Sequence, residues 1–389
     1  ISNNVLKVFW STADNKKIFS KSIYFTGRKT IDEVYNLTFE KEKIIKKITI
    51  NNIFYIISTV KNSNILKFYI FPVEGKYEVK TVDFSNEKFY SKYNKKISLY
   101  DLLAESNPFD SGFGIKTISN ETPASIVLAA NKRKLYINDD SSITLSFDNN
   151  ATATQLLNIN LSDFSIEQKI IYQPVINGQV EVNSNSFLIN KRLIQLKLSS
   201  EKIIMSLKEL DGKEVKEYVG MADTTITFKN SEIIQESGDV NDIRILEKSN
   251  QYIRKLYNSN PAITCFIKDN KYIVTVGSVG IVQNNSAAMY GGMFGVVGVL
   301  MAYALIPNTN LDNLNSYKNR KVVYVYGLFD KDFNHIEGEV KRSAFDTARK
   351  YSATVSKQTN LTLFKFNTIL YIGSYDLKTM TYTFQGFTE

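Results

Sequence analysis

The sequence predicts an all-β chain, an array of about seven or eight four-stranded units interrupted once by an apolar, glycine-rich insertion. Three observations carry this expectation. Runs rich in Ile, Val, Tyr, Phe and Thr, punctuated by Asn, Asp, Ser and Gly, recur from end to end, as half-buried strands do. A hairpin unit returns at nearly regular spacing. Finally, residues 272–311 contain no Asp, Glu, Lys, Arg or His, in a chain that is 22% charged.

Strands are expected at 5–10, 53–60, 66–71, 126–130, 143–147, 156–161, 193–198, 225–228, 263–267, 272–276, 322–326 and 368–372. Helical periodicity is scarce. It is loosely present over 240–257, where Ile243, Leu246, Ile253 and Leu256 recur, and more weakly over 345–354. Trp10, the single tryptophan, is placed in the core, and so is the single cysteine, Cys265, in the apolar run ITCF.

The repeating unit is an apolar strand, a Gly or Asp turn and a polar-alternating return strand. It is read in LKFYIFPVEGKYEVKTVDF, LLNINLSDFSIEQKIIY, IIMSLKELDGKEVKEY, VVYVYGLFDKDFNHIEGEV and TILYIGSYDLKTMTYTF. The turns fall near Glu74, Asp163, Asp211, Asp332 and Lys378. A period of roughly 45 residues with four strands per unit resembles the blades of β-propellers, in which radial packing covers faces that one blade could not bury alone. The resemblance is architectural, since no Trp-Asp, double-Gly or Ser-x-Asp-x-Gly-x-Thr signature is present. In this reading the N-terminal residues 5–25 share a blade with the C-terminal strands. Residues 1–389 are then one β-propeller-like domain, with 279–309 as an insertion whose length spoils the spacing between Asp211 and Asp332.

Composition narrows the functional classes. Hydrophobic residues make up 43% and aromatics 12%, ample for a packed core. The net charge of +9 is dispersed, with only short basic clusters, so no nucleic-acid partner is expected. One Cys and one His exclude a Cys/His zinc site built within this chain. His335 lies in an expected return strand. Asp139 with Asp140, and Asp330 with Asp332, lie at turns, where Asp commonly bonds its own backbone. No nucleophile elbow, Walker pattern or dinucleotide fingerprint is present. No cofactor is expected, and no catalytic or metal-binding residue is assigned. The chain opens at Ile1 rather than Met, read as a removed targeting segment or a start inside a longer gene.

Function therefore turns on the uncharged segment. Residues 287–306 are long enough to cross a bilayer, Asn284, Asn285 and Ser286 offer a helix N-cap, and Pro307 a stop. Its small residues recur at four-residue spacing, as in close-packed membrane helices. Topology opposes a span: strands before and after it belong to the same β array, so both flanks must stay on one side. Core element, lipid-touching loop and projection into a partner remain as readings. The projection accounts for most features together. Met289, Tyr290, Met293, Phe294, Val297, Leu300, Met301 and Tyr303 would supply buried contact, and Gly291, Gly292, Gly295 and Gly298 close approach.

On this Gly-rich projection, residues 279–309, and on composition, the chain resembles the plug subunit of the type IX secretion translocon. That resemblance implies a non-enzymatic protein of the bacterial periplasm or cell envelope, blocking a membrane-protein channel of the outer membrane. The alternative is a secreted or periplasmic propeller that binds or cleaves glycans, with paired carboxylates in an aromatic pocket.

Overall fold

The computed structural model describes residues 4–107, 110–138, 141–178, 182–237, 242–281, 309–355 and 359–388. Strand accounts for 52% and helix for 11%, which makes the protein all-β. Its strands form six blades in a β-propeller arrangement, where seven or eight were expected, together with a two-stranded ribbon.

Blade 1 has three strands, Val5–Ser11, Lys17–Tyr24 and Lys29–Asn36. Blade 2 has four, from Glu42–Ile50 to Glu78–Asp83, and blade 4 four, from Asn183–Ile189 to Glu214–Met221. Blade 3 has five, beginning with Lys116–Ile118, which pairs in parallel with Arg133–Ile137 and is followed by an antiparallel meander to Ile166–Tyr172. Blade 5 runs, in spatial order, Ile243–Leu246, Ile233–Ser237, Arg320–Phe329, Lys271–Ile281 and Asn260–Lys268. Blade 6 has three strands, Thr359–Phe366, Ile369–Asp376 and Thr381–Phe387.

The shortfall in blades has a physical origin. Between blades 2 and 3 the chain makes the ribbon Phe89–Tyr90 with Lys96–Ile97, then the helix Leu99–Ala104, instead of a blade. Blade 5 alone extends from 233 to 329 and includes the helix Ser249–Tyr257. The two chain ends do not share a blade either, because blade 1 takes all its strands from the N-terminal end and blade 6 all of its own from the C-terminal end.

Several local expectations are corrected. Residues 126–129 form a helix, not a strand: Ser125 caps it by accepting the Leu128 amide at 3.1 Å, and every helical residue is buried, so no alternation between two faces existed to be read. Residues 225–228 form no strand; Ile226 and Phe228 are core residues carried on a turn. In the stretch read as helical, 243–246 are the edge strand of blade 5 and only Ser249–Tyr257 is helix. Trp10 is 48% exposed rather than core, because strand register puts it on the outward face of blade 1.

Two-residue turns set the register of three blades. Asn51-Asn52, Asn190-Lys191 and Asp269-Asn270 all have positive φ at both positions, the type I′ geometry that matches the twist of a hairpin. Asn and Asp visit this region at little cost, which explains the Asn-rich punctuation of the sequence.

The seams between blades differ in chemistry. Blades 1 and 2 meet through aromatic rings, with Phe9 stacked on Phe54 at 4.6 Å and Tyr35 edge-on to Phe71 at 5.2 Å. Blades 2 and 3 share an aliphatic cluster including Ile57, Leu66, Leu145 and Leu157. Blades 4 and 5 pack Leu196, Met205 and Leu207 against Val274, Val276 and Cys265. Blades 3 and 4 share apolar packing, with Tyr136 edge-on to Phe187 at 5.7 Å, and add buried polar groups. Asp148 accepts from Lys134 Nζ at 2.8 Å, Thr154 Oγ1 at 2.8 Å and Ser186 Oγ at 2.8 Å, with Lys134 and Asp148 both fully buried. Burial would raise the Asp148 carboxyl, but Lys134 and these donors outweigh it and hold it below its ordinary range. Nearby, Lys132 donates to the Ser184 carbonyl and Lys197 to that of Ala151. Burial pushes each of these ammoniums down to about 8.

Candidate functional site

Lys271–Ile281 and Arg320–Phe329 are antiparallel neighbours, paired from Tyr272↔Phe329 to Ile281↔Arg320. The chain therefore leaves blade 5 and returns to it between two adjacent strands of one hairpin. The expectation that the strands before and after the segment belong to one β array is thus met. Residues 282–308 lie outside the described residues, and with them all twelve sequence-predicted contact residues, from Met289 to Tyr303. The described residues form the base of this excursion.

On the outgoing limb, Val279 is buried and Ile281 is exposed, so the described strand runs from the core out to the surface. Gly277, opposite Tyr324, permits close packing there. A Cβ at this position would collide with the Val323 carbonyl and come within 2.7 Å of Ile126, the first residue of the buried helix.

The return limb enters the helix Thr309–Asn315, and its side chains are fastened to residues 116–125. Asn310 accepts from Thr122 Oγ1 at 3.1 Å and donates to Glu121 Oε2 at 2.9 Å. Asp312 pairs with Lys116 at 3.1 Å. Asn313 accepts the Ser125 amide at 2.7 Å and donates to the Pro123 carbonyl at 2.8 Å, while Ser316 and Ser125 share a hydroxyl contact at 2.7 Å. Asn310 and Asn313 are both buried. Leu314 packs with Ala344, Phe345 and Ala348 of the helix Ala344–Thr354, which lies on blade 6. Lys46 of blade 2 approaches the same knot, donating to the Ile115 carbonyl at 3.3 Å. Burial lowers its ammonium to about 8, against the pull of Asp312. Three blades thus converge on one short helix.

This clamp was not read from the sequence. Its signal was present in NTNLDNLN, immediately after Pro307, where Asn and Asp alternate with Leu311 and Leu314 at helical spacing.

A second concave feature adjoins the clamp, a cleft of about 460 Å³ between blade 5 and residues 339–350. At its edge Arg349 grips Glu236 with two bonds, at 2.8 and 3.1 Å, and stacks on the Tyr317 ring at 4.0 Å. Tyr324 donates to Glu236 at 2.5 Å. Burial alone would lower the Arg349 guanidinium, but Tyr317 and Glu236 reverse this and hold it above its ordinary value. Burial, and then the neighbouring Tyr326 and Glu236, push the Tyr324 phenol up. Both Glu236 oxygens are occupied, so this carboxylate acts as a tie between blade 5 and the helix rather than as a base.

The other singled-out residues are structural. His335 Nε2 donates to Asn230 Oδ1 at 2.8 Å, its ring packs edge-on to Phe329 at 5.6 Å, and burial lowers its pKa. Asp330 accepts the amides of Asp332 and Asn334, as a turn aspartate does. Asp139 and Asp140 lie outside the described residues. Cys265 is buried and its thiol is pushed up by burial. Among the described residues no cluster of three His, Cys, Asp or Glu side chains could hold a metal, and no helix is long and apolar enough to cross a membrane.

The fold thus defines a six-bladed propeller arrangement with a clamped hairpin excursion. No family model matches the chain, and no curated protein matches it.

Proposed function

We propose that the protein is a non-enzymatic interaction protein of a bacterial cell envelope whose apolar segment, 282–308, inserts into a protein partner, a channel of the outer membrane. One observation carries the reading. The uncharged segment is an excursion from a hairpin already paired on both limbs, and its return limb is pinned by a buried polar clamp that holds the exit in place. A stretch of this composition needs an apolar or protein environment, since exposed contiguous apolar surface is costly and marks interaction sites. Its lack of charge suits insertion, and its glycines suit close approach.

The test replaces residues 282–308 with a short Gly/Ser linker. The reading expects a folded, more soluble protein with an unchanged melting transition that no longer co-purifies with its membrane-protein partner from detergent extracts. Unfolding of the variant would mean that the segment is core, and would sink the proposal.

The cleft favours a second reading, a glycan-binding propeller, because Tyr317, Tyr324 and Tyr326 line it together with Glu339 and Asp346. That reading expects calorimetric oligosaccharide binding that survives the 282–308 deletion and is lost in Tyr326→Ala.

A further inference from the structure

In a closed propeller every blade packs both faces on neighbours, the first against the last, so a chain whose first and last blades are not joined leaves one face of each. In this chain those two faces carry the exposed side chains of Val8, Trp10 and Val34 on blade 1 and of Phe364, Phe366, Tyr382 and Phe384 on blade 6. Blade 1 pairs Trp10↔Phe19 and Phe19↔Val34, which places these residues with Leu6, Val8 and Ile23 on one face, around the ion pair of Lys21 with Asp32. Its opposite face carries Phe9 and Tyr35 and makes the aromatic seam with blade 2. On the open face Trp10 is 48% exposed and Val34 56%, and Trp10 stacks on Phe19 at 5.8 Å.

Blade 6 shows the same division. Its inner face, with Leu363, Leu370, Ile372 and Phe387, belongs to the core formed with the helix Ala344–Thr354. The pairs Phe364↔Tyr371, Gly373↔Phe384 and Tyr375↔Tyr382 put an aromatic layer on the other face. The rings support one another, Phe364 stacked on Tyr371 at 5.6 Å and Tyr382 against Phe384 at 5.0 Å. A Cβ on Gly373 would meet the Tyr382 ring at 2.7 Å, so the glycine lets that ring lie close over the sheet. Phe366 is nevertheless 63% exposed and Phe384 59%. Among the described residues, blade 6 shares neither a sheet nor a core cluster with blade 1.

We propose that these faces are the two halves of one seam and that a second copy of this chain fills it, blade 6 of each copy packing on blade 1 of the other. Continuity with the seam between blades 1 and 2 supports this occupant. That seam is made from the same residue types on the other face of the same sheet, so blade 1 is built to be packed on both sides by aromatic-bearing blades. The two open faces match in size, each on a three-stranded sheet, and no strand is shared between the chain ends to pull them together within one copy. Buried aromatic side chains contribute roughly 150–250 Å² each. The seven exposed side chains of the two faces, Val8, Trp10, Val34, Phe364, Phe366, Tyr382 and Phe384, are each about half exposed, so roughly 100 Å² from each over two reciprocal seams comes to roughly 1,400 Å², the scale of a stable interface, roughly 1,200–2,000 Å². Reciprocal use of both seams closes a two-fold dimer and leaves no open end for further growth.

Trp10 is the only tryptophan in the chain and sits on this face, so the intact protein reports on itself. Light scattering on a size-exclusion column, run over a concentration series, is expected to move from the 44.3 kDa chain mass to twice that mass. Trp10 emission is expected to shift to shorter wavelength over the same range. Phe384→Lys and, as a second variant on the same exposed face, Phe366→Lys should raise the dissociation constant at least tenfold while keeping the circular dichroism of the parent. A monomer mass with unchanged Trp10 emission at every concentration overturns the proposal. So does a dimer that both variants leave intact, or a Trp10→Cys/Phe384→Cys variant that forms its disulfide within monomeric chains.

Discussion

Asn313→Ala separates a local clamp from a general part of the core. The Asn313 side chain accepts the Ser125 amide at 2.7 Å and donates to the Pro123 carbonyl at 2.8 Å, in a buried position. Truncation leaves one donor and one acceptor without their partners. Each such group costs about 1–3 kcal/mol, so about 2–6 kcal/mol is withdrawn from the contact between the helix Thr309–Asn315 and residues 116–125. Native-state hydrogen exchange is the assay. Amides of 309–317 should open at least about 30-fold more often, the factor that corresponds to the lower bound. Amides of Lys202–Glu209 in blade 4 should be unchanged. Equal acceleration in blade 4 would refute the reasoning by making the helix part of the global unfolding unit. Unchanged exchange at 309–317 would refute it by showing that these bonds do not hold the limb.

Three further outcomes follow from the polar seam and the blade 5 hairpin. Asp148→Asn should cost about 3–5 kcal/mol in urea unfolding, because it strands the buried Lys134 charge, and the Lys134→Met/Asp148→Leu double variant should recover most of that loss. Lys132 has a folded-state pKa of about 8 against 10.5 unfolded, so between these values the unfolded chain holds a proton that the folded chain has released. Its contribution to stability therefore rises with pH, by about 1 kcal/mol from pH 8 to 9, and Lys132→Met should remove that increment; above pH 9 the raised thiol of Cys265 acts in the opposite sense. Gly277→Ala should cost about 1–3 kcal/mol in melting or urea experiments, since the new methyl meets the Val323 carbonyl and Ile126.

The hairpins were the legible part of the fold. The turns near Glu74, Asp163, Asp211 and Lys378 each join two paired strands, because a Gly or Asp turn between alternating runs is a local signal. The unit around Asp332 did not produce a return strand; only the bridge Phe329↔His335 forms there, since Asn230 and Tyr218 hold the residues after the turn. The blade count failed because a ribbon and one helix stand between Asp83 and Lys116 in place of a blade, where period counting places strands. Trp10 was misplaced because an aromatic residue in an alternating strand reads the same whether its face meets a neighbour or is left open. The paired flanks of the uncharged segment were legible from strand pattern. The clamp that grips its return limb was not, since its partners lie 188 to 196 residues away in sequence.

Site-directed photocrosslinking tests the central claim most directly. With Met293 replaced by p-benzoylphenylalanine in cells of the source organism, the account predicts an adduct to one membrane-protein chain, absent when the same group stands at the exposed Tyr93. Adducts only within the chain itself, to the faces of blades 5 and 6, or only to lipid, would contradict it.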